Sequence, residues 1–182
     1  MSADSRVAIR YAKSLVSLAD EKGLLEDIKN DMQLVFDTCT ASRDLRLMLK
    51  SPIIHNDKKL SILKEIFEKS LNKLTVSFIE IISRKNREAV LVAVAEESIK
   101  LYNGLKGIQT AKLVTAFEVD KALKEKFVGI VKEVSGKDKV ELEVEVDTSI
   151  LGGFVLTVGD KKLDDSIATK MSTLKRQLLQ KA

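Results

Sequence analysis

The 182-residue chain contains one cysteine, one histidine, one proline and no tryptophan. Cys39 alone makes no internal disulfide, and with His55 it supplies too few ligands for a zinc centre. Aromatic residues amount to 4% of the chain, which leaves few platforms for stacking nucleic-acid bases. Eight glycines and the lone Pro52 exclude proline-rich linkers and collagen-like repeats. No apolar run approaches the roughly 18 residues that a membrane-spanning helix requires; Ala89–Ala95 is the longest. The N-terminal stretch carries Asp4 and no apolar signal core, and it lacks the Arg/Ser-rich character of an organelle presequence, so the expectation is a soluble intracellular chain.

The charge balance excludes more. The net charge of +4 is spread over both halves of the chain, whereas a phosphate-binding footprint needs clustered cations. GxxxxGK[ST], GxSxG, HExxH, CxxC and GxGxxG are all missing, so no phosphate loop, nucleophile elbow, metal centre or dinucleotide fingerprint is expected. No cofactor is implied.

What the chain does have is helical period. Ala8, Tyr11, Ala12, Leu15, Leu18 and Ala19 recur at spacings of three and four, which puts them on one side of a first helix. Ser2 or Asp4 is the N-cap expected for it, and Gly23 its stop. Leu25, Ile28, Met32, Val35 and Cys39 form a second stripe, which makes Cys39 a small core residue rather than a nucleophile. A short helix from about Arg43 to Lys50 ends before Ser51-Pro52, because a residue preceding proline is pushed out of helical space. His55 belongs to the loop before a helix carrying Leu60, Leu63 and Phe67. Two further stripes follow, one through Leu71, Leu74, Phe78, Ile81 and Ile82, the other through Leu91, Val94, Ala95, Tyr102 and Leu105.

After Asn103–Gly107 the pattern changes. Ile108–Ala116 is strand-like, and Val119, Leu123, Phe127, Ile130 and Val134 return to helical spacing. Val140, Leu142, Val144 and Val146 alternate with Glu141, Glu143 and Glu145, the mark of a half-buried strand with a solvated acidic face. Gly152-Gly153 reads as a tight bend, Phe154, Leu156 and Val158 as another strand, and Asp164-Asp165-Ser166 as the start of a last helix through Ile167, Met171, Leu174 and Leu178. The expected class is mainly α, with a six-helix bundle over residues 1–105 and a smaller α/β domain over 106–182.

The small-residue stripe of the first helix allows two readings: packing within its own bundle, or one wall of a groove for a partner helix. Four stretches narrow the choice. AIRYAKSLVSLA (8–19), LKSPIIHNDKKLSIL (49–63), FIEIISRKNREAVLVAVAEESIKLYNGL (78–105), and VDTSILGGF (146–154) with LDDS (163–166) occur in this order. Together they resemble the δ subunit of rotary F-type ATP synthases, the family of the oligomycin-sensitivity-conferring protein, over residues 5–180. Ile9, Thr148 and Asp165 depart from the family's usual Arg, Pro and Gly.

The resemblance implies a non-catalytic stator subunit in the peripheral stalk, tying the catalytic head to the membrane sector against rotor torque. It implies a groove between the first and fifth helices for an N-terminal helix of an α subunit, assigned here to Tyr11, Ala12, Leu15, Phe78, Ile79 and Ile82. It also implies a C-terminal contact with the b subunits, assigned to Gly152, Gly153, Phe154, Asp164 and Ser166. One copy per complex and a peripheral position on the cytoplasmic face of a bacterial inner membrane follow from the same resemblance. The rival is a helical adaptor that binds an amphipathic helix in another complex.

Overall fold

The computed structural model describes residues 3–181, with side chains over 5–177. The capping role expected of Ser2 or Asp4, and Leu178 on the last stripe, lie outside these described residues and side chains. The chain divides into two compact units, Met1–Tyr102 and Asn103–Ala182.

The first unit is a helical bundle. Helix α1 spans Ala3–Glu21, α2 Leu25–Ala41, α3 Arg43–Lys50, α4 Asn56–Phe67, α5 Lys73–Arg84 and α6 Leu91–Leu105, the last preceded by a 3-10 turn at Glu88–Val90. Local chemistry sets the breaks. Gly23 adopts the left-handed conformation (φ 67°) that closes α1 cheaply. The Ser42 side chain caps α3 by accepting from the Leu45 N–H at 3.2 Å, and that of Asn72 caps α5 by accepting from the Leu74 N–H at 3.0 Å. The periodic apolar positions converge on one core: Ala12 and Leu15 of α1, Met32 and Val35 of α2, Ile82 of α5 and Val94 of α6 are all buried. Cys39 is in that core as well.

The second unit opens within α6. Sequence pattern carries the last helical stripe through Leu105, where α6 ends, but the compact unit of the sheet already begins at Asn103. Asn103 is buried there, and its side-chain amide donates to Thr110 Oγ1 (3.0 Å) and Glu141 Oε2 (2.9 Å). Glu141 is distant in sequence, so local propensity gives no hint of that contact.

Strand β1 (Ile108–Thr115), helix α7 (Lys121–Ser135), strands β2 (Lys139–Val146), β3 (Phe154–Val158) and β4 (Lys161–Asp164), and helix α8 (Ile167–Lys181) complete the unit. The sheet order is β2-β1-β3-β4. β1 and β2 run parallel, joined by α7 as their crossover, while β1–β3 and β3–β4 are antiparallel. Ala111, Leu113, Leu156 and Val158 face Phe127 and Val131 of α7 in a second apolar core. Register puts Thr110, Lys112 and Val114 opposite Glu141, Glu143 and Glu145 on the other face. There Lys112 pairs with Glu145, and that pairing, opposing the cost of partial burial, raises the lysine's pKa above its ordinary value.

Candidate functional site

A channel runs between α1 and α5 within the N-terminal unit. It encloses about 400 Å³ and is lined by Leu18, Leu24, Leu74, Phe78 and Ile81, with Lys22, Lys73 and Ser77 among its polar lining. Leu18 and Ile81 are 40% and 51% exposed, so both leave apolar surface open along this lining. Tyr11 and Phe78 bridge the two helices edge to face, with ring centroids 6.3 Å apart.

The six residues assigned to this groove divide. Ala12, Leu15, Ile79 and Ile82 are at most 4% exposed and belong to the bundle's core. They support the channel from beneath and are closed to a ligand. Phe78 alone of the six lines the channel, and Tyr11 is half-buried against the core. The accessible apolar lining instead includes Leu18, Leu24, Leu74 and Ile81. Helical period does not separate the row that faces inward from the row one step around the surface.

Asp31, which sequence reasoning missed, positions one wall. This carboxylate is 8% exposed on α2. Its Oδ2 accepts from the Asn72 backbone N–H at 2.9 Å and from the Thr75 hydroxyl at 2.5 Å. An anion at a helix N-terminus satisfies orphan donors and complements the helix dipole, so Asp31 fixes where α5 begins. The available signal was a charge three residues from Ile28, next to an apolar stripe.

In the C-terminal unit, the residues assigned to a b-subunit contact are engaged internally. Gly152 is buried, and its carbonyl accepts from the Ile167 N–H at 3.0 Å. Gly153 holds a left-handed φ of 75°, and its Cα lies where a Cβ would overlap the Asp165 carbonyl. The rings of Phe154 and Phe127 pack edge-on at 4.9 Å. Asp164 Oδ1 accepts from the Ser166 N–H and hydroxyl, and Thr169 donates to Oδ2. The Ser166 hydrogen bonds hold the Asp164 carboxyl below the usual carboxylate range against the cost of desolvation, with weaker help from Thr169 and Lys162. These residues fasten the bend after β2 to the start of α8. The large apolar side chains left open nearby are Leu151, Leu163, Ile167, Met171 and Leu174, each between 44% and 62% exposed. Ile167, Met171 and Leu174 share one face of α8 by their spacing.

Burial pushes the Cys39 thiol up to about 11, against a weaker opposing effect from Arg46, so it is a poor nucleophile at neutral pH. His55 is exposed just before α4. Among the described residues, no group of three or more His, Cys, Asp or Glu is placed to hold a metal ion, and no helix is long and apolar enough to cross a membrane.

Comparison with known proteins gives a consistent result. The family model described as ATP synthase delta (OSCP) subunit matches residues 7–178. The chain is 39% identical to ATP synthase subunit delta of Christiangramia forsetii, over 96% of this chain and 94% of that protein. It is 36% identical to ATP synthase subunit delta of Flavobacterium psychrophilum, over 96% and 97%. In fold it is similar to a chain of the Toxoplasma gondii mitochondrial ATP synthase hexamer solved by cryo-electron microscopy. The TM-score is 0.74 at 24% identity, with 98% of each chain covered.

Proposed function

The chain belongs to the ATP synthase delta (OSCP) subunit family, and from that premise we propose that its two units grip two different partners within the enzyme. It is a non-catalytic peripheral-stalk subunit of a hetero-oligomeric, membrane-associated ATP synthase. Membership of that family favours this stator role over a helical adaptor of some unrelated complex.

In the proposed arrangement, the α1–α5 channel receives an N-terminal helix of an α subunit, and the C-terminal unit holds the b subunits of the stalk. The chain then ties the catalytic head to the proton channel on the cytoplasmic face of a bacterial inner membrane, one copy per complex. Held static, the head converts rotor torque into nucleotide chemistry instead of turning with the rotor.

The observation that carries the reading is the channel's lining. Leu18, Leu74, Phe78 and Ile81 present an apolar surface between two helices, the form that accepts an amphipathic helix by its i, i+3, i+4 and i+7 anchors. Lys22 and Lys73 add positive charge to the lining, which favours a helix with acidic flanks. Apolar burial suits a coupling under load because it is non-directional and contributes about 25 cal/mol for each Å² removed from water. On the C-terminal unit, the open apolar face of α8 supplies more free surface for the stalk than Gly152, Gly153, Phe154, Asp164 or Ser166, which hold the fold together.

Calorimetric titration with a peptide of the α-subunit N-terminus tests the groove. Ile81→Asp places a charge on an exposed lining position and is expected to weaken binding at least tenfold, about 1.4 kcal/mol, with helicity unchanged. Unchanged affinity of the folded variant excludes the channel as the α-subunit site. Leu15→Asp is a different test: it buries a charge in the core and is expected to unfold the N-terminal unit.

A further inference from the structure

The sheet of the C-terminal unit ends on two edges of unequal length. At one edge β4 has four residues, and at the other β2 has eight. Among the described residues, no strand pairs with the far side of β2. One hydrogen bond fixes the phase of that strand: the Asp147 N–H donates to the Thr115 carbonyl at 2.8 Å, at the end of the β1–β2 ladder. Backbone groups alternate in direction along a strand, so the N–H groups of Glu141, Glu143 and Glu145 also turn toward β1. Those of Val140, Leu142, Val144 and Val146 turn outward with their carbonyls, an open row of donors and acceptors.

The side chains beside this row differ on the two faces. Glu141, Glu143 and Glu145 stand exposed on one face. On the other, Val140, Leu142 and Val144 are only half-buried against the core that α7 covers, and Val146 is 48% exposed. The carboxylates are unevenly compensated. Glu145 is paired with Lys112, and the partner of Glu141 is the neutral Asn103 amide. Glu143 feels the charge of Lys112 without forming an ion pair of its own. Asn103 donates to both Thr110 and Glu141, which leaves its Oδ1 buried without a partner. This face of β2 therefore has more acceptors than donors.

Charge on an edge strand deters chance pairing, and charge of one sign makes that deterrence selective. A second copy is rejected: β2 laid against β2 sets glutamates opposite glutamates on the same face, and like charges directly opposite are destabilising. A segment with Lys or Arg at every second position is favoured. It places a cation opposite each carboxylate and brings the donors that this face lacks. Its intervening residues fall on the other face, where apolar side chains would cover Val140, Leu142 and Val144. Main-chain hydrogen bonds then hold the segment, and its alternating side chains select it, as in strand addition to an open sheet edge.

We propose that β2 takes up an extended segment of a partner chain, alternating cationic and apolar residues, as a further strand of the sheet. The site belongs to the C-terminal unit and does not depend on the assignment of the helix-binding channel. Titration of the ¹⁵N-labelled full chain with a capped octapeptide alternating arginine and valine tests it. Saturable shifts are expected along β2, with slower hydrogen exchange at the outward amides of Val140, Leu142 and Val144. Exchange at Glu141, Glu143 and Glu145 is expected to stay as it was, because the β1 ladder already holds those amides. A peptide alternating glutamate and valine is expected to protect none of them. Glu143→Lys alters an exposed side chain outside the core and is expected to weaken binding of the arginine peptide about tenfold; about 0.5 M salt should weaken it as well. Shifts without the alternating protection, equal protection by the glutamate peptide, or a folded Glu143→Lys variant that binds equally well overturns the proposal. So does a free chain that already protects the three outward amides and sediments as a dimer, which assigns the edge to a second copy.

Discussion

Tyr11 of α1 meets Phe78 of α5 edge to face, with centroids 6.3 Å apart and ring planes inclined at 74°. This contact joins the two helices that wall the proposed α-subunit channel. Aromatic pairs in such a geometry contribute about 0.5–1.5 kcal/mol beyond the area they bury. A double-mutant cycle with Tyr11→Leu and Phe78→Leu is therefore expected to give a coupling energy in that range from denaturant unfolding. A coupling near zero would mean that the rings merely fill space and that other contacts set the channel's width.

The start of α5 depends on a carboxylate from a different helix. Asp31→Ala leaves the Asn72 N–H and the Thr75 hydroxyl without their shared acceptor in a part-buried setting. Each such loss costs about 1–3 kcal/mol, so the variant is expected to lose at least that much stability in the N-terminal unit. Hydrogen exchange should locate the change, with amides at the start of α5 opening faster than those of α2. Asp31→Asn retains one acceptor oxygen and is expected to fall between wild type and alanine. If all three exchange alike, Asp31 does not position α5.

In the C-terminal unit the decisive close approach is at Gly153. A methyl group added there meets the backbone of Asp165 and Ser166 rather than the end of a flexible side chain, and the residue's φ of 75° is one that side chains rarely adopt. Gly153→Ala is expected to cost more than about 1 kcal/mol, which lowers the melting temperature of a unit this size by about 4–8 °C or more. The loss should appear in amides of β3 and α8, while the bundle keeps its protection. Gly152→Ala meets the movable Cδ1 of Ile167 at 2.7 Å, yet its φ of 152° remains unfavourable for alanine, so a smaller loss is expected there. An alanine at 153 with unchanged stability would contradict the close approach.

Local sequence carries a large part of this fold. Leu15, Met32, Val35 and Ile82 reach the core as their spacing predicts, because an inward face repeats every three or four residues along a helix. The alternation of Val140, Leu142 and Val144 with three glutamates reads directly as β2. What stays illegible is nonlocal. Asn103 belongs with Glu141, and Asp31 with Thr75, through partners that no local window of residues contains. The channel suffers from the same limit: Leu15 and Leu18 lie on one apolar stripe, and only packing against the other helices makes one core and the other lining. Gly152-Gly153 and Asp164–Ser166 show the limit once more. They stand out as motifs, and the backbone contacts between them give them a structural reason that spacing does not reveal.

Acid should loosen α8 at its start. Hydrogen bonds from Ser166, then from Thr169, favour the charged form of Asp164 and lower its pKa in the folded chain. Unfolded, the carboxyl returns to about 3.9. A depressed folded pKa contributes stability that is fully present above the unfolded value and is lost as pH falls through the folded one. The N-terminal end of α8 is therefore expected to be insensitive to pH between about 7 and 5 and to weaken below about 3.9. Asp147 is lowered in the same direction by Ser149, so the experiment uses an Asp147→Asn background to remove its contribution. Amide shifts of Ser166 and Thr169, followed from pH 7 downward, are expected to titrate with a midpoint below the ordinary aspartate value, and Asp164→Asn should abolish that titration. A midpoint at or above the ordinary value would mean that the Ser166 contacts do not favour the ionised carboxylate, and that α8 is held in place by the Gly152–Ile167 backbone bond and not by its acidic cap.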